Sequence, residues 1–369
     1  MSPLEIHAGP RALRLLRERR PVPADVGMIP GAAGGPKGLV LGPLDRWLFG
    51  HWLAGSSHTV HLVGASIGAW RMAVACLPDP VAGFVGLTES YLAQEYDHAP
   101  GKAPAASHVS AVFGAELERQ LGGATAYILG HPRYRLHVVT SRGRHLLGRQ
   151  GRWRTPIGYL GAYAANLVSR RAMGGWLERV VFSDPRDPLP LRLQDFRSHR
   201  ATLDAASLHP ALLASCSIPF WLDAVHDIPG APPGAYWDGG ITDYHLHLDY
   251  ASLGQAGRDG AARDAGAPLV LYPHFQSQVV PGWLDKGLRH RHRASAALDN
   301  VVLVSPHPDW VRQLPGGKLP DRSDFRRFGD DAEARRRAWR RAVNESERLA
   351  EALADWLEDR IDIPVQPLR

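Results

Sequence analysis

Ser66 lies in the pattern G-x-S-x-G, which begins at Gly64 and ends at Gly68. The apolar run 59–64 before the serine predicts a strand, and the pattern after it predicts a helix that continues to about Cys76. Small neighbours permit a sharp turn that exposes the serine hydroxyl, and the N-terminus of the helix favours a developing negative charge. The pattern therefore predicts a nucleophile for acyl transfer. The plainer alternative is a serine that only caps the helix.

A nucleophilic serine needs a base within hydrogen-bond reach, and the sequence offers two kinds of candidate. Asp238 ends a predicted strand and is followed by Gly239 and Gly240, which let the backbone turn closely, although Asp and Gly are common in any turn. Four histidines also lie near predicted strand ends: His245, His247, His274 and His307. From the residues alone, a Ser-Asp dyad and a Ser-His-Asp triad through His274 or His307 both remain open.

A glycine-rich turn stands earlier in the chain, between a predicted strand at 24–31 and a helical pattern at 39–53. A loop with few side chains can direct backbone N–H groups at an anion, as an oxyanion hole or a phosphate site does. The residues that would build it are Gly34, Gly35, Lys37 and Gly38. Because Lys37 is followed by glycine, the pattern G-x-x-x-x-G-K-[ST] is not matched, which favours an oxyanion hole. A tight turn without a ligand is the alternative.

A sheet must position these three turns. Further strands are predicted at 133–143, 177–184, 268–275 and 300–307, and the stretch 234–248 is predicted to be a strand that leads into a turn. Further helical patterns occur at 11–20, 159–177, 209–225 (ending before Pro219) and 331–360. This alternation predicts an α/β fold with a parallel sheet. Sites in such sheets form where strands end and helices begin, and both glycine-bearing turns lie there.

The three motifs and their order resemble the patatin-like phospholipase family, over residues from about 26 to 248. The segment 212–225 (LLASCSIPFWLDAV) is also similar to the family's segment between its last two motifs. The resemblance implies a three-layer α/β/α architecture with a central, mostly parallel sheet. It also implies a serine lipid acyl hydrolase that needs no cofactor, in which Ser66 is the nucleophile and Asp238 its only base. A catalytically inactive lipid-binding or scaffold protein that keeps this fold is the alternative outside enzymes.

The resemblance also assigns the glycine-rich loop, with two departures. Gly34 and Gly35 would supply oxyanion-hole donors, and Lys37 would shape the loop. The family usually has glycine where this chain has Pro36, and proline has no N–H to donate. After D-G-G the family usually has asparagine and then proline, where residues 244–246 here are Tyr-His-Leu.

Three segments are expected: an N-terminal basic helical segment (1–22), the catalytic domain (23–310), and a C-terminal loop and long helix packed on that domain (311–369). Within the domain, 150–178 is either a lid or acyl-chain pocket, or a helical layer buried against the sheet. Its apolar residues at helical spacing are Ile157, Tyr159, Leu160, Tyr163, Leu167, Met173 and Trp176.

The net charge of +6 suggests an anionic partner, although a solvated arginine-rich surface gives the same charge. The basic runs 289–293 and 335–341 are candidate contacts with an anionic membrane surface. No nucleic-acid-binding module is recognised, so nucleic acid is not an expected partner. The spacing of His245, His247 and Asp249 on a strand would suit a metal, but no second ligand cluster follows, and no metal is expected.

The composition also limits the cellular compartments in which the protein is expected. Two cysteines in 369 residues do not make a disulfide framework. The first twenty residues lack the apolar core of a secretory signal, and no run of about 18 apolar residues occurs. A cytoplasmic protein that visits a membrane surface is therefore expected.

Overall fold

The structure is a computed structural model that describes residues 2–97, 104–254, 268–329 and 331–369. Within these ranges the backbone forms eleven strands: β1 (Leu4–Ala8), β2 (Val26–Gly31), β3 (Val60–Ala65), β4 (Tyr134–Gly143), β5 (Leu177–Ser183), β6 (Ser198–Thr202), β7 (Val225–His226), β8 (Ala235–Trp237), β9 (Leu269–Pro273), β10 (Val301–Pro306) and β11 (Val365–Pro367). They make one mixed sheet in the order β11-β1-β10-β9-β2-β3-β4-β5-β6, with β8 paired to β4 and β7 paired to β8. Most neighbouring strands are parallel.

Fourteen α-helices occur in the same ranges, together with short 3-10 turns: α1 (Pro10–Glu18), α2 (Gly42–Trp47), α3 (Ile67–Ala75), α4 (Pro80–Leu92), α5 (Ala106–Leu121), α6 (Thr125–Gly130), α7 (Arg154–Val168), α8 (Arg170–Met173), α9 (Leu208–Cys216), α10 (Gly240–Asp243), α11 (Pro308–Gln313), α12 (Ser323–Phe328), α13 (Ala332–Glu345) and α14 (Glu347–Leu357). None of them combines the length and apolar character needed to cross a bilayer. The protein is thus an α/β protein with a large, mostly parallel central sheet flanked by helices, as the alternation of elements predicts.

The two faces of the sheet are covered differently. Side chains alternate across each strand, so Leu62 of β3 belongs to the buried cluster that includes residues of α2, α3, α9 and α14, whereas Val63 belongs to the cluster on the other face. That second face is covered largely by the irregular segments 244–253 and 275–280. Because both faces are buried, the central strands are continuous apolar runs without alternation.

The strand β4 is longer than its neighbour β3, and this difference positions the site. Ala65, the last residue of β3, lies opposite Val139, and β4 continues to Gly143. The short strand β8 pairs antiparallel with this overhang, with Trp237 opposite Ser141. The chain leaving β8 is therefore directed back toward the end of β3.

Residues 1–22, predicted to be a basic helical segment, contain the predicted helix as α1 but also a strand. They begin with β1, which pairs antiparallel with β10 and parallel with β11, before α1 starts at Pro10. Four of the five β1 residues are buried, so the strand lacks the polar-apolar alternation that would mark it in the sequence.

The single C-terminal helix predicted over 331–360 is two helices, α13 and α14. They are interrupted at Ser346, whose hydroxyl donates to the carbonyl of Val343 (2.6 Å). A serine that bonds its own backbone competes with regular helix geometry. Ala342, Leu349 and Leu353 are buried as the pattern predicts, so the apolar face continues across the break.

The prediction of a strand followed by a turn over 234–248 holds only for the three residues of β8. The chain then enters the short helix α10, and Leu246 has a positive φ of 44°. His245, His247 and Asp249 therefore do not share one face of a strand. Across the ranges that the structure describes, His, Cys, Asp and Glu side chains form no group of three suited to a metal ion.

Candidate active site

Ser66 is in a strained backbone conformation at the turn between β3 and α3. Its φ is 55° and its ψ is −133°, which is unusual for a residue with a side chain. The turn brings Gly68 against the end of β2, where an added Cβ would lie 1.8 Å from the carbonyl oxygen of Gly31. Gly64 similarly lies against the first turn of α3. The glycines of the pattern are thus required by close packing, as expected for an elbow of this kind.

The hydroxyl of Ser66 donates to Oδ2 of Asp238 over 2.7 Å. Asp238 is the first residue after β8, and its carboxylate is fixed at both oxygens because Oδ1 accepts from the backbone N–H of Gly240 (2.7 Å). Its backbone is held as well, since its N–H donates to the carbonyl of Ser217 (2.9 Å) and its carbonyl accepts from the hydroxyl of Ser141 (2.9 Å). The sequence motifs that carry Ser66 and Asp238 therefore meet within hydrogen-bond distance.

Ser215 of α9 connects the two motifs, although it belongs to neither of them. Its hydroxyl accepts from the backbone N–H of Ser66 (2.9 Å) and donates to the carbonyl of Val139 (2.7 Å). Its carbonyl accepts from the backbone N–H of Gly239 (3.0 Å). The only sequence signal for this role is that Ser215 belongs to the segment 212–225, which resembles its counterpart in patatin-like proteins.

Burial dominates the electrostatics of Asp238, which is 2% exposed. Loss of solvent raises the pKa of the Asp238 carboxyl above its usual range. The positive charge of Arg322, the hydrogen bonds from Ser66 and Gly240, and the charge of Lys286 act in the opposite direction. Neither Arg322 nor Lys286 lies in a recognisable motif, and both lie outside residues 26–248.

The glycine-rich loop lies beside the elbow and begins a 3-10 turn at Gly35. Gly35 has a φ of +56°, which side chains disfavour, and a Cβ there would lie 3.3 Å from Nε of Arg322. Gly38 packs on Ile67, the residue after the serine, with a Cβ distance of 3.4 Å. The ammonium of Lys37 is 5.3 Å from the ring centroid of Phe275, and Gly34 lies against the same ring.

The histidines proposed for a triad make other contacts. Nδ1 of His274 accepts from the backbone N–H of Gln276 (3.0 Å), and burial lowers the pKa of His274 to about 3. His307 caps α11 by accepting from Asp309 (3.1 Å), at the end of β10, which is separated from β3 by two strands. In the ranges given above, no histidine is hydrogen-bonded to Ser66 or Asp238.

Tyr159 of α7 also faces the site. Its ring centroid is 5.8 Å from that of Trp237, the residue before Asp238, and 6.0 Å from that of Phe220. Its hydroxyl is buried and makes no hydrogen bond within the described part of the chain. Burial and the negative charge of Asp238 raise the pKa of this phenol.

The rest of the segment 150–178 does not form a buried apolar layer. Ile157, Leu160, Tyr163 and Leu167 are exposed, although Met173 is buried. The interpretation as a helical layer therefore fails for most of the stripe, while the lid or pocket stays a prediction.

The chain matches no protein-family model, and no significant match is found among curated proteins. The arrangement of Ser66, Asp238 and the glycine-rich loop is compatible with nucleophilic attack by serine, proton transfer to a carboxylate and stabilisation of an oxyanion by backbone amides.

Proposed function

We propose that this protein is a serine hydrolase that cleaves carboxylic esters of lipids through a Ser66–Asp238 dyad, as patatin-like lipid acyl hydrolases do. The observation that carries the proposal is the 2.7 Å hydrogen bond from the Ser66 hydroxyl to Asp238 at a strained strand-to-helix turn. An ionised acceptor makes such a bond strong and provides the base that a serine nucleophile needs.

The reaction proceeds in two steps. Asp238 accepts the Ser66 proton as Oγ attacks the ester carbonyl carbon, and collapse of the tetrahedral intermediate expels the alcohol, which takes that proton from Asp238. The product is an acyl ester on Ser66. In the second step Asp238 accepts a proton from water, whose oxygen attacks the acyl carbonyl. Collapse then releases the fatty acid, and the proton on Asp238 returns to Ser66.

The oxyanion of both intermediates would be held by backbone N–H groups of the glycine-rich loop. Gly35 is the proposed donor because it opens the 3-10 helix, where backbone N–H groups have no partner within the helix. Gly38 packs on Ile67, directly after the nucleophile, and holds the loop beside it. Gly34 precedes them in the same loop, and Pro36 contributes no N–H. Loss of one donor of this kind raises the barrier by roughly 3 kcal/mol.

Aromatic side chains next to Asp238 favour a lipid ester over a polar ester as the substrate. Phe220 is exposed, Tyr159 contacts it, and Trp237 continues the contact to the residue before Asp238. Apolar and aromatic walls with few polar groups are typical of sites that hold acyl chains.

A fluorophosphonate probe tests the nucleophile directly. We expect the wild type to carry the label on the peptide that contains Ser66, S66A to carry none, and D238N to be labelled about 10²–10⁴ times more slowly. Hydrolysis of short-chain nitrophenyl esters should fall in parallel. H307A, which changes a surface cap, and H274N should keep both activities.

Three outcomes would overturn the proposal. A label on another residue excludes Ser66 as the nucleophile. Loss of activity in a folded H274N or H307A variant favours the triad. Failure of the wild type to react with the probe or any ester favours a non-catalytic lipid-binding or scaffold protein. Circular dichroism of each variant separates loss of activity from loss of fold.

A further inference from the structure

The helix α7 (Arg154–Val168) exposes its apolar face, whereas a helix that covers a core buries it. Its buried positions carry small or polar residues: Thr155, Gly158, Ala162 and Asn166. Its large apolar residues lie on the opposite face and are exposed: Ile157, Leu160, Tyr163, Leu167 and Val168. A helix of a soluble protein usually buries its apolar stripe. An exposed apolar stripe therefore indicates a surface that contacts a membrane or another protein.

Exposed apolar side chains are concentrated at this place. Thirteen large apolar side chains are exposed in the ranges that the structure covers, and eight of them belong to one patch. We call it the α7 patch: Trp153, Ile157, Leu160, Tyr163, Leu167, Val168, Phe220 and Trp221. Phe220 adjoins the helix through its contact with Tyr159.

The stretch of chain that contains α7 carries charge of one sign. Residues 119–177 contain ten arginines and neither lysine, aspartate nor glutamate. Since the whole chain has a net charge of +6, the rest of the chain has a net charge of −4. Arg149, Arg152 and Arg154 are exposed at the N-terminal end of α7. At the other end, the basic run 289–293 is attached through Arg291, which donates to Asn166 (3.2 Å).

We propose that the α7 patch docks on an anionic lipid bilayer, with α7 lying in the plane of the interface. Exposed tryptophan, phenylalanine and leucine flanked by arginine are the features of helices that bind this way. A helix of 15 residues is about 22 Å long, shorter than the roughly 30 Å apolar layer of a membrane, so it lies on the bilayer and does not cross it.

Charge complementarity distinguishes this occupant from a second copy of the chain. In a symmetric dimer through the α7 patch, the arginines around one patch would face the same arginines of the other. Juxtaposed like charges oppose such an interface, whereas anionic head groups attract them. The docking does not depend on the proposed hydrolase activity. It would bring Tyr159, on the inner side of α7, and the neighbouring dyad close to the lipid surface.

The test is sedimentation of S66A protein with vesicles of phosphatidylcholine alone or of phosphatidylcholine and phosphatidylserine in equal amounts. S66A lacks the proposed nucleophile and leaves the lipids intact, so vesicle binding is measured independently of ester hydrolysis. We expect binding to the mixed vesicles, at least tenfold weaker binding to phosphatidylcholine alone, and weakening by salt. The double variant I157S/L160S should lower binding to the mixed vesicles about tenfold or more. The control V85S/I361S removes two exposed apolar side chains elsewhere and should bind as S66A does.

The arginines are tested with R149Q/R152Q/R154Q, which should bind less to mixed vesicles than R14Q/R17Q/R348Q, a variant with the same net charge and exposed sites elsewhere. An equal loss of vesicle binding in both variants would show that only the net charge of the protein matters, and it would overturn the docking site. Absence of vesicle binding, unchanged binding of I157S/L160S, or a dimer that I157S/L160S dissociates would each overturn the proposal. Hydrogen exchange of the S66A protein, with protection of 153–168 by vesicles, gives the answer even where a variant fails to fold.

Discussion

Asp238 must meet two opposing requirements. A general base has to be ionised, yet Asp238 is buried, and burial favours its neutral form. Arg322 and Lys286 oppose burial by charge, and the N–H of Gly240 and the hydroxyl of Ser66 oppose it by hydrogen bonds. Since the pKa of Asp238 remains above its usual range, the proposed activity should fall on the acid side at a higher pH than an ordinary aspartate would dictate.

Replacement of Arg322 by glutamine should shift the acid limb of the pH–activity profile to still higher pH. The variant R322Q loses the cation with the largest effect on Asp238, so the pKa of Asp238 rises and the acid limb of kcat/KM for a nitrophenyl ester shifts up by about one pH unit. R322K keeps the charge and should keep the limb near its original place. The control R326Q changes an exposed arginine of α12, the helix that follows Arg322. An unchanged pH profile with a lower kcat would contradict the electrostatic role of Arg322.

Asp238 should also reduce stability while it supports activity. Folding raises the pKa of its carboxyl, so the folded protein favours the protonated form, and ionisation lowers the free energy of unfolding. This loss grows as the pH rises from the pKa in the unfolded chain through the raised pKa of the folded protein. Asparagine carries no charge, so D238N should be inactive but more stable than the wild type at neutral pH. Urea unfolding at a series of pH values measures this difference, which should vanish in acid and would have the opposite sign if the pKa were lowered.

At the scale of elements, the dyad depends on the close approach of two strand ends. The elbow after β3 and the end of β2 are packed with backbone against backbone at Gly68 and Gly31. Nothing at that contact can rotate away, since both partners are main chain. The geometry of Ser66 therefore depends on the absence of a single methyl group.

The variant G68A should disturb this packing severely. Its Cβ would meet the carbonyl oxygen of Gly31 at 1.8 Å and that of Ala32 at 2.7 Å, so we expect a loss of stability of at least about 3 kcal/mol, or insoluble protein. The matched control is G55A, because a Cβ at this exposed glycine has no neighbour within 4 Å. Thermal melting of both variants decides, and equal stability of G68A and G55A would refute the backbone contact.

The sequence predicts the elements around the dyad well because their signals are local. An apolar run followed by a glycine elbow is sufficient to place β3 and α3 within a residue or two. Ser215, Arg322 and Tyr159 could not be assigned in this way. Each reaches the dyad by packing of a segment distant in sequence. The sequence marks Ser215 only through the resemblance of 212–225, marks Tyr159 only as part of 150–178, and does not mark Arg322. The same reason explains β1, whose strand character depends on its partners β10 and β11.

At the scale of the whole molecule, β1 and β11 form one edge of the sheet, next to β10. β1, from the N-terminus, lies between β10 and β11, and β11 comes from the last residues of the chain. Leu4, Ile6 and Ala8 are buried, and β1 covers the edge of β10. An uncovered apolar strand edge is a template for pairing with other molecules. The N-terminal strand is therefore part of the sheet and its core and not an appendage.

Deletion of residues 2–9 should consequently give insoluble or aggregated protein. The deletion removes the burial of Leu4 and Ile6, worth about 1.5–3 kcal/mol each, and leaves the edge of β10 (Val301–Pro306) without its partner. The matched control is deletion of 364–369, which removes only β11, the outer strand with half-exposed or exposed residues. That deletion should lower the melting temperature by a few degrees and leave the protein soluble, because β1 still covers β10. Soluble fractions and thermal melts of the two deletions decide between the alternatives. If the protein without residues 2–9 were as soluble and as stable as the one without 364–369, β1 would not be an integral strand, and the sheet would end at β10.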